Sequence, residues 1–71
     1  MALTPEELTN RFTYHAPKPG QNVLYIAIRS KAKELAQLIN ESCPDSRESA
    51  LAFTNLEQAV FWANAAIARR G

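Results

Sequence analysis

The stretch that decides the fold is Ser46–Arg70, SRESALAFTNLEQAVFWANAAIARR, the longest helical pattern in the chain. Its apolar residues recur at spacings of three and four, which on a helix of 3.6 residues per turn form a single stripe. The stripe consists of Phe53, Leu56, Val60, Ala63 and Ile67. Because one stripe needs another to pack against, the pattern predicts a partner helix.

A second run with the same spacing follows Gly20 and predicts a helix over residues 21–42. Its stripe consists of Tyr25, Ile28, Ala32, Leu35 and Ile39. Pro44 ends this helix, since proline disfavours helical backbone in the residue before it. Asp45 and Glu48 together predict a capping box that starts the last helix. So short a connection predicts an antiparallel helical hairpin.

The N-terminal part of the chain carries the signals of a shorter helix. Thr4 can cap it, Pro5 suits its first position, and Glu7 stands where a capping-box acid is expected. The helix is short because residues 12–20 favour extended backbone and include two prolines. The prediction is therefore a single all-α domain over residues 1–71, with a short N-terminal helix followed by a long antiparallel helical hairpin.

A chain of 71 residues has room for one small core, and its single cysteine, Cys43, excludes an internal disulfide. Because so short a chain buries a small share of its surface, we expect a homo-oligomer. Large apolar residues outside the two stripes are the expected contacts between protomers, since exposed apolar patches mark interaction surfaces. These residues are Val23 and Ile26 on the second predicted helix and Phe61 and Trp62 on the third.

Charge and hydropathy argue against several classes of protein. Eight lysines and arginines against seven acidic residues leave a net charge of +1, far from the strongly basic balance of a duplex nucleic-acid binder. The sequence has no run of about 18 apolar residues, and its N-terminus lacks the basic start and apolar run of a signal peptide. We therefore expect a protein of the cytoplasm that binds neither duplex nucleic acid nor a membrane.

Patterns for catalysis and metal binding are scarce. The single histidine, His15, has no second histidine or cysteine at ligand spacing, so no metal site is predicted within one chain. There is no G-x-S-x-G motif, and the two glycines, Gly20 and Gly71, do not form a phosphate-binding loop. The carboxylates are spread along polar faces, so no pair is predicted for general acid–base catalysis. Binding without catalysis and without a cofactor is the expectation.

The cations form a more informative pattern. Arg29 and Lys33 are four residues apart on the second predicted helix and are therefore neighbours on its surface. Arg69 and Arg70 close the third, and the antiparallel hairpin brings them toward the loop that carries Tyr14. Aromatic rings and guanidinium groups at one end of a molecule suit a nucleotide, whose base stacks while its phosphate takes charge-assisted hydrogen bonds.

Each of these features also has a purely structural interpretation. Arg29 and Lys33 can form a solvated face. Arg69 and Arg70 complement the dipole at the C-terminal end of a helix. Tyr14 and His15 can pin the loop onto the hairpin. Composition and spacing alone therefore predict a small helical oligomer and leave open whether it binds an aromatic anion.

Five runs of the sequence carry a resemblance to a known family. They are FTYHAP at 12–17, AIR at 27–29, AKELA at 32–36, CPDSRE at 43–48 and NLEQAVFWANAAIAR at 55–69. These runs resemble the phage anti-CBASS cyclic-nucleotide sponges, which are built on a helical hairpin. The resemblance extends from about residue 12 to residue 71, and the last run is its most specific part.

The resemblance implies a hexamer that sequesters cyclic oligonucleotide immune signals in the cytoplasm of a bacterial host without degrading them. The implied ligands are cyclic dinucleotides such as 3',3'-cyclic GMP-AMP, bound between protomers, and in some members cyclic trinucleotides at a separate site. Their removal prevents activation of a CBASS effector. The resemblance also implies Tyr14 as the stacking or phosphate-contacting aromatic residue. The implied cations are Arg29 and Lys33 of a neighbouring chain, with Arg69 or Arg70 as further phosphate partners.

Three alternatives stay open. The ligand can be a cyclic ADP-ribose isomer, as in related sponges that counter the Thoeris defence. The chain can instead be a helical adaptor whose Phe61 and Trp62 surface binds only protein. A cyclic-nucleotide hydrolase assembled between chains is the third alternative.

Overall fold

Three α-helices make up the secondary structure of the protein in a computed structural model that describes residues 2–71. They are α1 (Pro5–Arg11), α2 (Gln21–Ser42) and α3 (Arg47–Arg70). The all-α prediction is confirmed, and α2 has the predicted bounds. The predicted single domain over residues 1–71 stays a prediction, and its first residue lies outside the described part. None of the helices in that part combines the length and the hydropathy needed to cross a lipid bilayer.

Local chemistry starts the first two helices. Thr4 Oγ1 accepts a hydrogen bond from the Glu7 N–H at 3.1 Å, and Pro5 occupies the first turn of α1, as predicted. The Glu7 carboxylate does not complete the predicted capping box, because it accepts hydrogen bonds from two arginines instead. Gly20 precedes α2 with a φ of 86°, a left-handed conformation that favours glycine, and so turns the loop sharply into the helix.

The start of α3 differs from the prediction. Its N-cap is Ser46 rather than Asp45, and the capping-box partner is Ser49 rather than Glu48. Ser46 Oγ accepts from the Ser49 N–H at 3.1 Å, and Ser49 Oγ accepts from the Ser46 N–H at 3.0 Å. The serine pair forms the cap because Ser49 is buried and its hydroxyl needs a partner there, whereas Asp45 and Glu48 are exposed and stay hydrated.

α2 and α3 pack against each other through the two predicted stripes. Gln21, at the start of α2, donates from Nε2 to the Ile67 carbonyl near the end of α3 at 3.3 Å, as the antiparallel arrangement requires. The stripe residues are half-buried, with one exception, since Leu35 is 47% exposed. Ala36 is half-buried beside Ala32 one turn earlier, so the seam follows the row of residues four apart at this level.

The hairpin is a single layer of helices. The chain measures 46 × 34 × 13 Å, and its smallest dimension is close to the diameter of one α-helix, about 10–12 Å. Among residues 2–71 no apolar side chain is fully buried. The accessible surface is 5792 Å², whereas a compact monomer of 7.9 kDa exposes about 4,400 Å². Both faces of the layer are thus open. The predicted homo-oligomer stays a prediction, because the structure describes one chain.

We expect Ser46→Ala to lower the free energy of unfolding by about 1 kcal/mol, because the Ser49 N–H loses its acceptor. Urea unfolding followed by circular dichroism measures the change. Asp45→Ala is the matched control. It should lower the free energy of unfolding by less than about half of that amount, since Asp45 lies outside the cap. A larger loss in Asp45→Ala than in Ser46→Ala would contradict the observed cap.

Candidate functional site

Polar contacts tie the loop between α1 and α2 to the end of α3. The His15 ring places Nε2 2.7 Å from the Asn10 carbonyl, and because a carbonyl only accepts, this nitrogen donates. Asn10 Nδ2 in turn donates to the Arg69 carbonyl at 3.2 Å. Lys18 Nζ donates to the Gly71 carbonyl at 2.8 Å. The antiparallel hairpin thus brings the last turn of α3 beside the loop, as the sequence predicts.

An open cleft of about 340 Å³ lies where the loop meets α3. Its polar and aromatic lining consists of Arg11, Thr13, Tyr14, His15, Tyr25, Asn64 and Arg69. The Tyr14 ring is 84% exposed, whereas the ring of the neighbouring His15 is held by its hydrogen bond to the Asn10 carbonyl. Arg69 and Tyr25 are half-buried. The cleft therefore combines rings for stacking, guanidinium groups for a phosphate and one carboxamide.

An ionic contact joins α1 to α3 beside this cleft. Arg70 Nη1 donates to Glu7 Oε2 at 3.0 Å, and its Nη2 donates to Glu7 Oε1. Arg11 Nε donates to the same Oε1 at 2.8 Å. The hydrogen bonds from Arg70 and then from Arg11 lower the pKa of the Glu7 carboxyl to about 2, and the Glu7 carboxylate raises the pKa of Arg70. Arg70 thus shares the Glu7 carboxylate with Arg11 and lies outside the Tyr14 cleft.

Arg29 and Lys33 line a different groove, of about 470 Å³, between α2 and α3. The rest of this lining is mostly apolar and includes Phe53 and Phe61. The two cations are neighbours, as their spacing predicts, but within one chain they do not share a cleft with Tyr14. A site that joins all three residues therefore requires two chains.

The four residues predicted to join protomers are all exposed, with exposed fractions between 52% and 69%. They are Val23, Ile26, Phe61 and Trp62. Large exposed apolar residues in a chain that buries no apolar side chain among residues 2–71 are typical of an interaction surface. Their role as contacts between protomers stays a prediction.

Arg11 and Asn64 are among the residues of the cleft that the sequence does not predict for a site. Arg11 lies in the last turn of α1, where a cation complements the helix dipole, so its position gives no separate signal. Asn64 gives a weak signal, because the sequence places this amide between Ala63 and Ala65, beside the apolar stripe. In the structure its side chain is half-buried. A polar side chain in such a place usually has a partner.

The fold is a one-layer helical hairpin, and a cleft lined by aromatic rings and guanidinium groups lies where the last turn of α3 meets the loop between α1 and α2. The chain belongs to the Acb2/Tad1 hairpin domain family, whose sequence profile matches residues 4–68. This membership confirms the resemblance to the anti-CBASS sponges. Comparisons with curated proteins and with solved structures gave no match. Membership is consistent with sequestration of a nucleotide signal without catalysis.

We expect Glu7→Gln to lower the Tm at pH 7, because the neutral amide no longer forms ion pairs with Arg11 and Arg70. The pKa of Glu7 in the folded chain is about 2, below the ordinary value of 4.5, so the carboxylate stabilises the protein above that ordinary value. The stabilisation is lost as the pH falls through 4.5 toward 2.

Thermal unfolding of Glu7→Gln and the unmodified protein across this pH range measures the effect. The difference in Tm should be present at neutral pH and shrink at acid pH. Glu6→Gln, which changes an exposed neighbour in the same turn, is the matched control. Equal Tm values for Glu7→Gln and the unmodified protein at pH 7 would show that the contact does not stabilise the fold.

Proposed function

We propose that this protein is a non-enzymatic sponge that sequesters cyclic oligonucleotide immune signals in the cytoplasm of a phage-infected bacterium. Its ligands are cyclic dinucleotides such as 3',3'-cyclic GMP-AMP and cyclic trinucleotides, and their removal blocks activation of a CBASS effector. The observation that carries the proposal is the cleft in which the exposed Tyr14 ring lies beside Arg11 and Arg69, in a chain of the hairpin family.

The chemistry of the cleft matches the chemistry of these ligands. A base that stacks on Tyr14 gains about 1–3 kcal/mol, and every base offers a face for such stacking. Arg69 supplies charge-assisted hydrogen bonds to a phosphodiester. Arg70, already paired with Glu7, acts by holding α1 in place next to the cleft. Sequestration needs binding alone, so no general base or nucleophile is required.

A homo-oligomer, with a hexamer as the expected form, completes the proposal. The accessible surface of one chain exceeds that of a compact monomer by about 1,400 Å². A standard interface buries about 800 Å² of each partner, so the excess corresponds to nearly two interfaces for each chain. Two chains also supply what one lacks, because Arg29 and Lys33 of a neighbour can join Tyr14 around a ligand that carries two phosphodiesters and two bases.

Calorimetric titration with a panel of cyclic di- and trinucleotides tests the proposal. We expect at least one ligand to bind with a sub-micromolar Kd, which corresponds to a binding free energy on the order of −9 kcal/mol. Chromatography after heat denaturation should recover that ligand intact. Cyclic ADP-ribose isomers belong in the same panel, because they also carry a base and phosphates. Preferential binding of an isomer, release of linear products, or no binding at all would favour the anti-Thoeris sponge, the hydrolase or the adaptor, respectively.

Tyr14→Ala should weaken ligand binding by about tenfold or more, because the base loses its stacking partner. The matched control is Phe12→Ala, which removes an equally exposed ring from the same loop but from outside the Tyr14 cleft. Light scattering checks that both variants keep the oligomer. Equal losses of affinity in the two variants would contradict a specific role for Tyr14.

Trp62→Lys should shift the protein toward the monomer, because a charge placed in an apolar contact resists desolvation. Size-exclusion chromatography with light scattering measures the mass. Asn40→Lys places the same charge at an exposed polar position near the turn of the hairpin and should leave the mass unchanged. A monomeric unmodified protein, or an unchanged mass in Trp62→Lys, would contradict the proposed interface.

A further inference from the structure

The ring of His15 is bound at one nitrogen and free at the other. Nε2 donates to the Asn10 carbonyl at 2.7 Å, so the single proton of the neutral ring is on Nε2. Nδ1 makes no hydrogen bond with residues 2–71. Among the buried and half-buried residues of that range, Asn64 Oδ1 is the one polar side-chain atom that is both closed off from solvent and without a partner. The Nδ1 of the half-buried His15 is therefore open to solvent.

This free nitrogen belongs to the lining of the Tyr14 cleft. His15 lines the cleft, whereas Asn10, which binds Nε2, does not. Nδ1 is thus the polar atom that the ring can offer to a molecule in the cleft. Asn10 also donates to the Arg69 carbonyl at 3.2 Å, so one residue joins the ring to the last turn of α3. Because the cleft is only about 340 Å³, an anion that pairs with Arg69 there lies among the same few side chains as the His15 ring.

The titratable groups that share the cleft with the histidine ring come from each of the neighbouring elements. They are Arg11 on α1, Tyr25 on α2, Arg69 on α3 and Tyr14 in the loop. The two arginines oppose a further positive charge in the ligand-free protein, and tyrosine hydroxyls ordinarily stay neutral below about pH 10. No carboxylate of residues 2–71 lines the cleft, since Glu7 binds Arg11 from outside it. A bound anion therefore brings negative charge to a place where the chain supplies none.

We propose that His15 is a further ligand-binding residue, which takes up a proton at Nδ1 when a phosphodiester enters the cleft and donates it in a hydrogen bond to a phosphate oxygen. The inference rests on the proposed function and deepens it by adding a phosphate contact and a dependence on pH. The proton comes from solvent. Both nitrogens of a cationic ring donate, so Nε2 keeps its bond to the Asn10 carbonyl while Nδ1 binds the phosphate. An imidazole ordinarily gains this proton at about pH 6.5, close enough to neutrality for one adjacent anion to decide its charge.

The uptake of a proton fixes the direction of the pH dependence. If the complex holds more protons than the free protein and free ligand together, the affinity rises as the pH falls. Phosphodiesters keep their negative charge between about pH 6 and pH 8, the range in which histidine ordinarily titrates. A purely structural His15, which pins the loop through Nε2, needs no proton at Nδ1 and predicts no such rise.

Calorimetry of the full chain tests the inference with 3',3'-cyclic GMP-AMP, or with whichever cyclic nucleotide of the panel binds more tightly. The affinity should be about tenfold higher at about pH 6 than at about pH 8, the effect of one charge-assisted hydrogen bond. Titrations at neutral pH in Hepes and in Tris, whose ionisation enthalpies differ, count the protons through the difference in the observed enthalpy. We expect a net uptake of protons on binding.

His15→Gln is the matched variant, because its amide can still donate to the Asn10 carbonyl but cannot take up a proton. Its affinity should be equal at the two pH values and about tenfold below that of the unmodified protein at about pH 6. Cys43 and the terminal amino group are the same in both proteins, so the comparison assigns the proton to His15. If His15→Gln does not fold, the proton count of the unmodified protein decides.

The ring nitrogens themselves give an independent readout. His15 is the single histidine of the chain, so its ¹⁵N resonances need no assignment among several rings. Near neutral pH the ligand-free protein should show a protonated Nε2 and a mainly unprotonated Nδ1, and the complex should show both nitrogens protonated. An Nδ1 that stays unprotonated in the complex would overturn the inference.

The inference and the proposed function can fail separately. Equal affinities of the unmodified protein at the two pH values, or an unchanged pH dependence in His15→Gln, overturns the role of His15 and leaves the sponge intact. Weaker binding at about pH 6 also overturns it, because a neutral Nδ1 would then accept a hydrogen bond from the ligand. Failure to bind any cyclic nucleotide at either pH overturns the proposed function and the inference with it.

Discussion

Two packed helices can shield only one stripe of each, and that limit governs this protein. The seam between α2 and α3 joins the hairpin, yet the chain is 13 Å thick and leaves both faces of the layer open. Stable domains usually place two layers of secondary structure around one core, and this chain supplies a single layer. Under the proposed function the second layer is another copy of the chain. Phe61 and Trp62, which have no place in the seam, then serve the assembly.

Polar contacts, rather than apolar burial, position the Tyr14 side of the cleft. α1 buries no side chain, and it is joined to α3 by the Glu7–Arg70 ion pair and by the bond from Asn10 to the Arg69 carbonyl. The seam therefore sets the position of α3, and these contacts then set the position of the loop relative to it. Because the contacts hold the neighbours of Tyr14 and not its ring, the ring stays exposed.

The sequence predicts those parts of the fold that depend on local patterns. The bounds of α2 follow from its apolar spacing and from Gly20 and Pro44, which act on the backbone of their immediate neighbours. The predicted N-cap of α3 is wrong by one residue. Asp45 and Ser46 are both good N-cap residues, and the choice between them depends on the burial of Ser49. Burial is a property of the packed hairpin, and no local pattern reveals it.

The candidate site was harder to predict, because its contacts join distant parts of the chain. The spacing of Arg29 and Lys33 indicated that they are neighbours, and the antiparallel hairpin indicated that Arg69 lies near Tyr14. The pairing of Arg70 with Glu7 spans 63 residues, so no periodicity reveals it.

The polar attachment of α1 and its loop also bears on how fast a ligand leaves. No side chain in either segment is fully buried, so both can detach locally while α2 and α3 stay packed. One wall of the cleft, α3, is then permanent, and the other opens and closes. A molecule that bridges Tyr14 on the moving wall and Arg69 on the permanent one holds the two walls together. The residence time of such a molecule is then set by how often α1 and its loop detach from α3.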